Sequence, residues 1–152
     1  LNHYLDFIKN EKNENFDEVE TENFIKDLTI NYSKLNITRN DSKIILIRKN
    51  QISRALVNIL DNANKFAEKI YVSSNVSETK WVISIEDDGP GTPLSQEELV
   101  KPFTKGSEQL NQGTGLGLSI VQKLIKLNNG ELRFEGSSHG GLKVLISLEI
   151  NY

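Results

Sequence analysis

The chain contains no cysteine, which excludes a disulfide framework and any thiolate metal centre and leaves a reducing compartment open to it. It contains no methionine either, not even at position 1. Translation begins with one, so the chain reads as a piece of a longer protein. No apolar run approaches the ~20 residues that span a bilayer, and no charged-then-apolar leader opens the sequence. Basic residues are not in excess: 18 Lys and Arg stand against 21 Asp and Glu, a net charge of −3. Phosphate backbones are held by clustered cations, so no nucleic-acid partner is expected. Histidine is scarce, with only His3 and His139. What is present, 37% hydrophobic and 26% charged residues over 152 positions, suits one domain around a single core.

Leu1, Tyr4, Leu5 and Ile8 have helical spacing and give way to the polar run Lys9 to Asn15. Residues 1–15 therefore read as a helix end plus linker, and 16–152 as the domain. Phe16 to Val19 suggests a short strand, while Phe24, Ile25, Leu28, Tyr32 and Leu35 predict a helix over about 20–34. Ile44 to Ile47 suits a buried strand, and Asn50 offers an N-cap to a helix ending near Phe66. Strands follow at 70–76 and 80–87, joined through Ser77-Glu78-Thr79, with Trp81, Ile83 and Ile85 on one face. From Asp88 to Thr114 the chain is rich in Gly, Pro, Ser and Gln, with a helical candidate only at 96–100. So long a connection in a small domain reads as a lid or binding loop. A helix is predicted over 116–127, Gly130 sits where a left-handed C-cap belongs, and a last hairpin, 131–135 with 142–150, turns through Ser137 to Gly141.

Three segments have the residue types of a phosphate and metal site. On the helix from Asn50, the buried stripe Ile52, Leu56, Ile59 and Ala63 leaves Asn58, Asn62 and Lys65 along another side. The amide oxygen of Asn62 is a hard neutral ligand for Mg²⁺, and Lys65 can meet a phosphate. A merely solvated face, with Asp61 and Lys65 paired at i, i+4, explains the same residues. Glu86-Asp87-Asp88-Gly89-Pro90-Gly91 brings a carboxylate to a strand end beside backbone that can approach a ligand closely. Asp87 can accept from an exocyclic amine such as adenine's, although a plain Asp-Gly turn uses the same residues. Gly113-Thr114-Gly115-Leu116-Gly117 opens a helix, where free N–H groups and the positive dipole end suit phosphate. It is neither the P-loop nor the Rossmann pattern, and tight packing is the alternative use of its glycines. Between these segments, Phe103 and Lys105 lie in the long loop, where an aromatic flanked by lysines can anchor a lid or simply pack.

The order of these pieces within about sixty residues resembles the histidine kinase branch of the ATPase superfamily that includes DNA gyrase, the Hsp90 chaperones and the MutL proteins. Asn58 to Phe66 resembles the N box of that family, Asp87 to Gly91 its first glycine box, Pro102-Phe103 its F box, and Gly113 to Gly117 its second glycine box. The resemblance implies that Asn62 is a Mg²⁺ ligand, with Asn58 and Lys65 beside the phosphates. It also implies that Asp87 reads adenine in a pocket shaped by Gly89 and Gly91. Gly113, Thr114, Gly115, Leu116 and Gly117 would then lie along the triphosphate, with Phe103 and Lys105 on the lid. Lys105 stands where many relatives carry Arg, keeping the charge without the planar fork. Hydrolysing relatives carry Glu where this chain has Asn58. An amide is a poor general base, so the resemblance favours transfer to histidine over hydrolysis.

The implied fold is an α+β two-layer sandwich, a mixed, mostly antiparallel sheet of about five strands with three helices on one face. The implied cofactors are ATP and Mg²⁺. The implied partners are an upstream dimerisation and phosphoacceptor domain and a downstream response regulator, with a homodimeric parent and a monomeric fragment. Neither His3 nor His139 is followed by the Glu and later Pro of the family's acceptor histidine, so the chain is not expected to phosphorylate itself. A cytoplasmic setting follows, in a parent that the resemblance allows to be anchored in the inner membrane. A degenerate nucleotide-binding regulatory module and an ATP-hydrolysing relative remain the alternatives.

Overall fold

The computed structural model describes residues 14–91, 98 and 117–150. Its elements run β1 (Asp17–Glu20), α1 (Thr21–Thr29), β2 (Leu35–Asn40), β3 (Ile44–Ile47), α2 (Lys49–Phe66), β4 (Ile70–Val76), β5 (Lys80–Asp87), α3 (Gly117–Leu127), β6 (Gly130–Gly136) and β7 (Leu142–Glu149). Trp81, Ile83 and Ile85 alternate on β5 and make it the apolar spine of a five-stranded sheet ordered β2-β4-β5-β7-β6. Every pairing in it is antiparallel except β2 with β4. Val72 and Val144 flank Ile85 in register, so one sheet face is continuously apolar. The helical stripes close that face: Ile52, Ala55, Leu56, Ile59, Leu60 and Ala63 from α2, Leu118, Val121, Leu124 and Ile125 from α3, Phe24 and Ile25 from α1. Each fully buried Ile or Leu is worth about 1.5–3 kcal/mol. Trp81, 0% exposed, meets Phe24 edge-on at 5.8 Å and donates its indole N–H to Ser74 Oγ at 2.8 Å. The result is the two-layer sandwich expected, with a separate antiparallel ribbon of β1 and β3.

Several local expectations are corrected. The helix of 20–34 stops at Thr29, whose hydroxyl bonds back to the Ile25 carbonyl at 2.7 Å. The chain then turns, and Leu35 starts β2 instead. Leu35-Asn36-Ile37-Thr38-Arg39-Asn40 is an edge strand with most side chains exposed, so it carries no alternation to read. In Ile44 to Ile47 only Ile45 and Ile47 are buried; Ile44 and Leu46 face outward from the ribbon. Asn50 is not the N-cap of α2. Arg48 holds that position without a side-chain cap, and the Glu14 carboxylate accepts from Asn50 N at 2.8 Å and Gln51 N at 3.0 Å. Gly130 is not the left-handed residue after α3 either; Asn129 is, at φ 55°. Gly130 needs no side chain for another reason: a β-carbon there would stand 2.7 Å from Leu148 and 2.8 Å from Ile125.

Candidate functional site

The C-terminal half of α2 has small and apolar residues toward β5 and amides along its edge. Ile59, Asn62, Ala63 and Phe66 thereby line one wall of a cleft, faced by Ile85 and Asp87 of β5, Pro90, Leu118 of α3, and Leu142 and Val144 of β7. Asn62 and Asp87 are the polar groups in this apolar lining, the pattern of a site that holds a flat, mostly apolar ligand and fixes its orientation at a few points. Asn62 is 8% exposed, and its amide nitrogen is buried with no hydrogen-bond partner among the described residues. A half-turn of the amide exchanges that nitrogen for the carbonyl oxygen. A buried unpartnered polar atom costs about 1–3 kcal/mol, a cost understandable where a ligand supplies the partner. This donor set fits a Mg-nucleotide: a neutral hard oxygen beside an apolar slot with a carboxylate at its far wall.

Asp87 and Asp88 are adjacent but divide their labour. Asp88 Oδ1 accepts from Glu68 N and Lys69 N, both at 2.9 Å, strapping the glycine turn to the connection behind α2. Those amides, Lys69's first, hold its carboxyl below the usual carboxylate value. Asp87 lines the cleft, and its Oδ1 accepts from Gly89 N at 2.9 Å and Leu142 N at 3.2 Å. Burial pushes its carboxyl above the ordinary value, against the pull of the two amides. A folded-state pKa raised in this way favours folding below the unfolded value and loses that contribution as pH rises through the folded one. Asp87→Asn, which keeps an oxygen for both amides, is therefore expected to leave the domain as stable as before at neutral pH, or more stable. The difference should shrink as pH falls through the folded pKa. Thermal melts against pH check this, and a destabilised variant at neutral pH would contradict the burial account.

The structure brings Asn62, Asp87 and Gly89 together, places Asn58 half-buried one turn before Asn62, and leaves Lys65 exposed. A β-carbon on Gly89 would sit 3.0 Å from the Phe66 carbonyl, and Gly91 has φ +68°, so both glycines are required by backbone geometry. Gly117 is the first residue of α3. Phe103, Lys105, Gly113, Thr114, Gly115 and Leu116 lie outside the described residues, as does His3. Exposed His139 stacks on Tyr71 with ring centroids 3.9 Å apart. Sequence reasoning missed Phe66, Leu142 and Gly141 as site residues. The Gly140-Gly141 pair was a visible signal, but it reads as a turn and the start of a closing strand, not as part of the site. Two braces were also missed: Tyr32 donates to Asp61 Oδ1 at 2.6 Å, and Lys34 Nζ caps the Asn64 and Ala67 carbonyls at 3.0 Å each.

Residues 47–151 match the family described as histidine kinase-, DNA gyrase B- and HSP90-like ATPases. The sensor histidine kinase CpxA of Escherichia coli (strain K12) is 37% identical over 106 residues, covering 66% of this chain and 23% of that protein. The sensor histidine kinase GtrS of Pseudomonas aeruginosa is 34% identical over 98 residues, covering 64% and 20%. The chain thus spans less than a quarter of these relatives. In three dimensions the Acinetobacter baumannii histidine kinase AdeS superposes with a TM-score of 0.76 at 22% identity, covering 99% of this chain and 75% of that one. The histidine kinase domain of the E. coli osmosensor EnvZ gives 0.69 at 28% identity, covering 90% and 89%. With most of its length inside the family match and the same sheet-and-helix sandwich around the cleft, the chain belongs to the histidine kinase-, DNA gyrase B- and HSP90-like ATPases, in the branch of the sensor histidine kinases.

Proposed function

We propose that this chain binds Mg-ATP in the cleft between α2, β5 and β7 and transfers the γ-phosphoryl group to a histidine of an upstream phosphoacceptor domain. A response regulator takes the phosphoryl group in turn. The observation that carries this reading is the buried Asn62 amide nitrogen, without a partner among the described residues, across an apolar slot from Asp87. Asp87 accepts from the adenine amino group, with its own geometry set by Gly89 and Leu142. Asn62 would hold the metal, with Asn58 and Lys65 beside the phosphates; the resemblance assigns Lys105 to the same phosphates. A Mg²⁺ held there would supply charge neutralisation to the transferring phosphoryl group. A ring nitrogen of the acceptor imidazole attacks the γ-phosphorus, the bond to the β–γ bridging oxygen breaks, ADP departs, and the imidazole sheds its proton. Asn58 cannot take a proton from water as a carboxylate would, which directs the reaction toward transfer.

The domain is assigned to the cytoplasm, where ATP and response regulators reside; among the described residues no helix is long and apolar enough to cross a membrane. The test is to mix the chain with a separately prepared phosphoacceptor domain and γ-labelled ATP. Label should reach that domain's histidine and neither His3 nor His139. Nucleotide binding without transfer would identify a degenerate regulatory module instead. Steady phosphate release by the chain alone would identify a hydrolase.

A further inference from the structure

The helix that bears Asn58 and Asn62 does not cap itself. Arg48 occupies the N-cap of α2 and can accept nothing, so the N–H groups of Asn50 and Gln51 would be orphaned at the helix start. Both are taken by one carboxylate from far along the chain, Glu14, at 2.8 and 3.0 Å. The freed Arg48 does something an ordinary cap residue cannot. Its Nε donates to the Glu14 carbonyl at 3.1 Å, its Nη1 donates to the Leu127 carbonyl at 2.9 Å, and its guanidinium lies over the Phe16 ring at 4.4 Å. Leu127 is the last residue of α3, where a cation meets the negative end of the helix dipole. Gln51, 0% exposed, completes the knot: its Oε1 accepts from Asn128 Nδ2 at 2.8 Å, which also donates to the Leu124 carbonyl at 2.8 Å.

One cluster therefore joins residues 14–16, the start of α2 and the end of α3. The two helices run antiparallel from it, because Gln51 meets Asn128 at this end while Asn62, Phe66 and Leu118 line the cleft at the other. Eleven residues, roughly 16 Å of helix at ~1.5 Å each, separate Gln51 from Asn62. Packed helices transmit displacement at one end to the other because their interface does not deform continuously.

We infer that Glu14 and Arg48 are positioning residues for the nucleotide site. By clamping the distal ends of α2 and α3 they set the separation between Asn62 and the start of α3, so nucleotide affinity depends on how residues 14–16 sit. The inference rests on the reading of the cleft as a Mg-ATP site. It is a role beyond helix stability, since an internal Ser, Asp or Asn at position 48 would cap α2 without involving the entering chain.

The test compares wild type with Glu14→Gln, Arg48→Gln and, as a control of the fold alone, Ser74→Ala, which removes the partner of the Trp81 indole. Glu14→Gln keeps one of the two acceptor oxygens and nearly the same shape, which favours a folded variant. Mg-ATP affinity should fall about 5- to 10-fold in the two clamp variants, but by no more than about twofold in Ser74→Ala, even at an equal loss of melting temperature. Coupling is reciprocal, so Mg-ATP should slow hydrogen exchange at the Asn50 and Gln51 amides of wild type and not of Glu14→Gln. Unchanged affinity in both clamp variants, or affinity that merely tracks melting temperature across all three, overturns the inference and leaves the ATP reading standing. Failure of wild type to bind Mg-ATP overturns the ATP reading and the inference with it.

Discussion

Alanine in place of Asn62 is expected to cut Mg-dependent affinity for ATP at least about 100-fold, ~2.8 kcal/mol, while leaving the free domain as stable as before or more stable. The two halves of this expectation come from the same atoms. Asn62 is 8% exposed and its amide nitrogen has no partner among the described residues, so the folded chain bears a desolvated polar group that alanine would remove. The proposed metal site, in contrast, would lose its neutral oxygen ligand, and the neighbouring lining of Ile59, Ala63 and Leu118 offers no substitute. A ligand at 100 times its Kd stabilises a protein by ~2.7 kcal/mol. Wild type should therefore melt higher with Mg-ATP, whereas the variant should show no such shift at the same concentrations. Titration with and without magnesium separates metal-dependent from base-dependent binding. Affinity that survives in Asn62→Ala with its magnesium dependence intact would remove this residue from the metal site.

The sequence showed most clearly what is periodic and local. Trp81, Ile83 and Ile85 alternate and become the spine of the sheet; Ile52, Leu56, Ile59 and Ala63 repeat helically and become the inner face of α2. The edge strand β2 was hidden because its side chains are mostly exposed and its pairing with β4 is made by backbone, which leaves no trace in side-chain pattern. The capping of α2 was hidden for a different reason. Asn50 is a good N-cap by propensity, yet the cap comes from Glu14, and no local rule predicts a hydrogen bond across 36 positions. The same contrast holds at the cleft. Asn62, Asp87 and Gly89 were legible because each sits in a compact motif, and they do converge. Leu142 and Gly141 were not, because ordinary residues become site residues only through the pairing that lays β7 against β5, and Phe66 at the end of α2 offered only an aromatic that suits any core.

Gly141 carries the second large expectation. It lies buried in the turn before β7, and a β-carbon there would collide with the Asp87 carboxylate, standing 2.5 Å from the Asp87 carbonyl oxygen and 2.7 Å from Gly89 N. None of these is the free end of a flexible side chain. The Asp87 carboxylate is held by Gly89 N and by Leu142 N, the residue next to Gly141. Gly141→Ala must therefore push β7 away from the glycine turn or rotate the carboxylate off its amides, and either movement reshapes the wall that faces the base. A hydrogen bond to a charged group contributes about 1.5–3 kcal/mol, so a carboxylate turned away from the adenine amine corresponds to a fall in nucleotide affinity of about 10- to 100-fold. Overpacking should add about 1–3 kcal/mol of destabilisation. Stability loss alone would not alter choice of base, whereas a displaced Asp87 should also erode the preference for ATP over GTP, whose ring presents a carbonyl where adenine presents an amine. Gly140→Ala is the internal comparison. Gly140 has φ +101° with open space around its β-carbon position, so it should cost backbone strain without changing that preference. If Gly141→Ala keeps both affinity and base selectivity, the close approach of β7 to Asp87 is dispensable to the site.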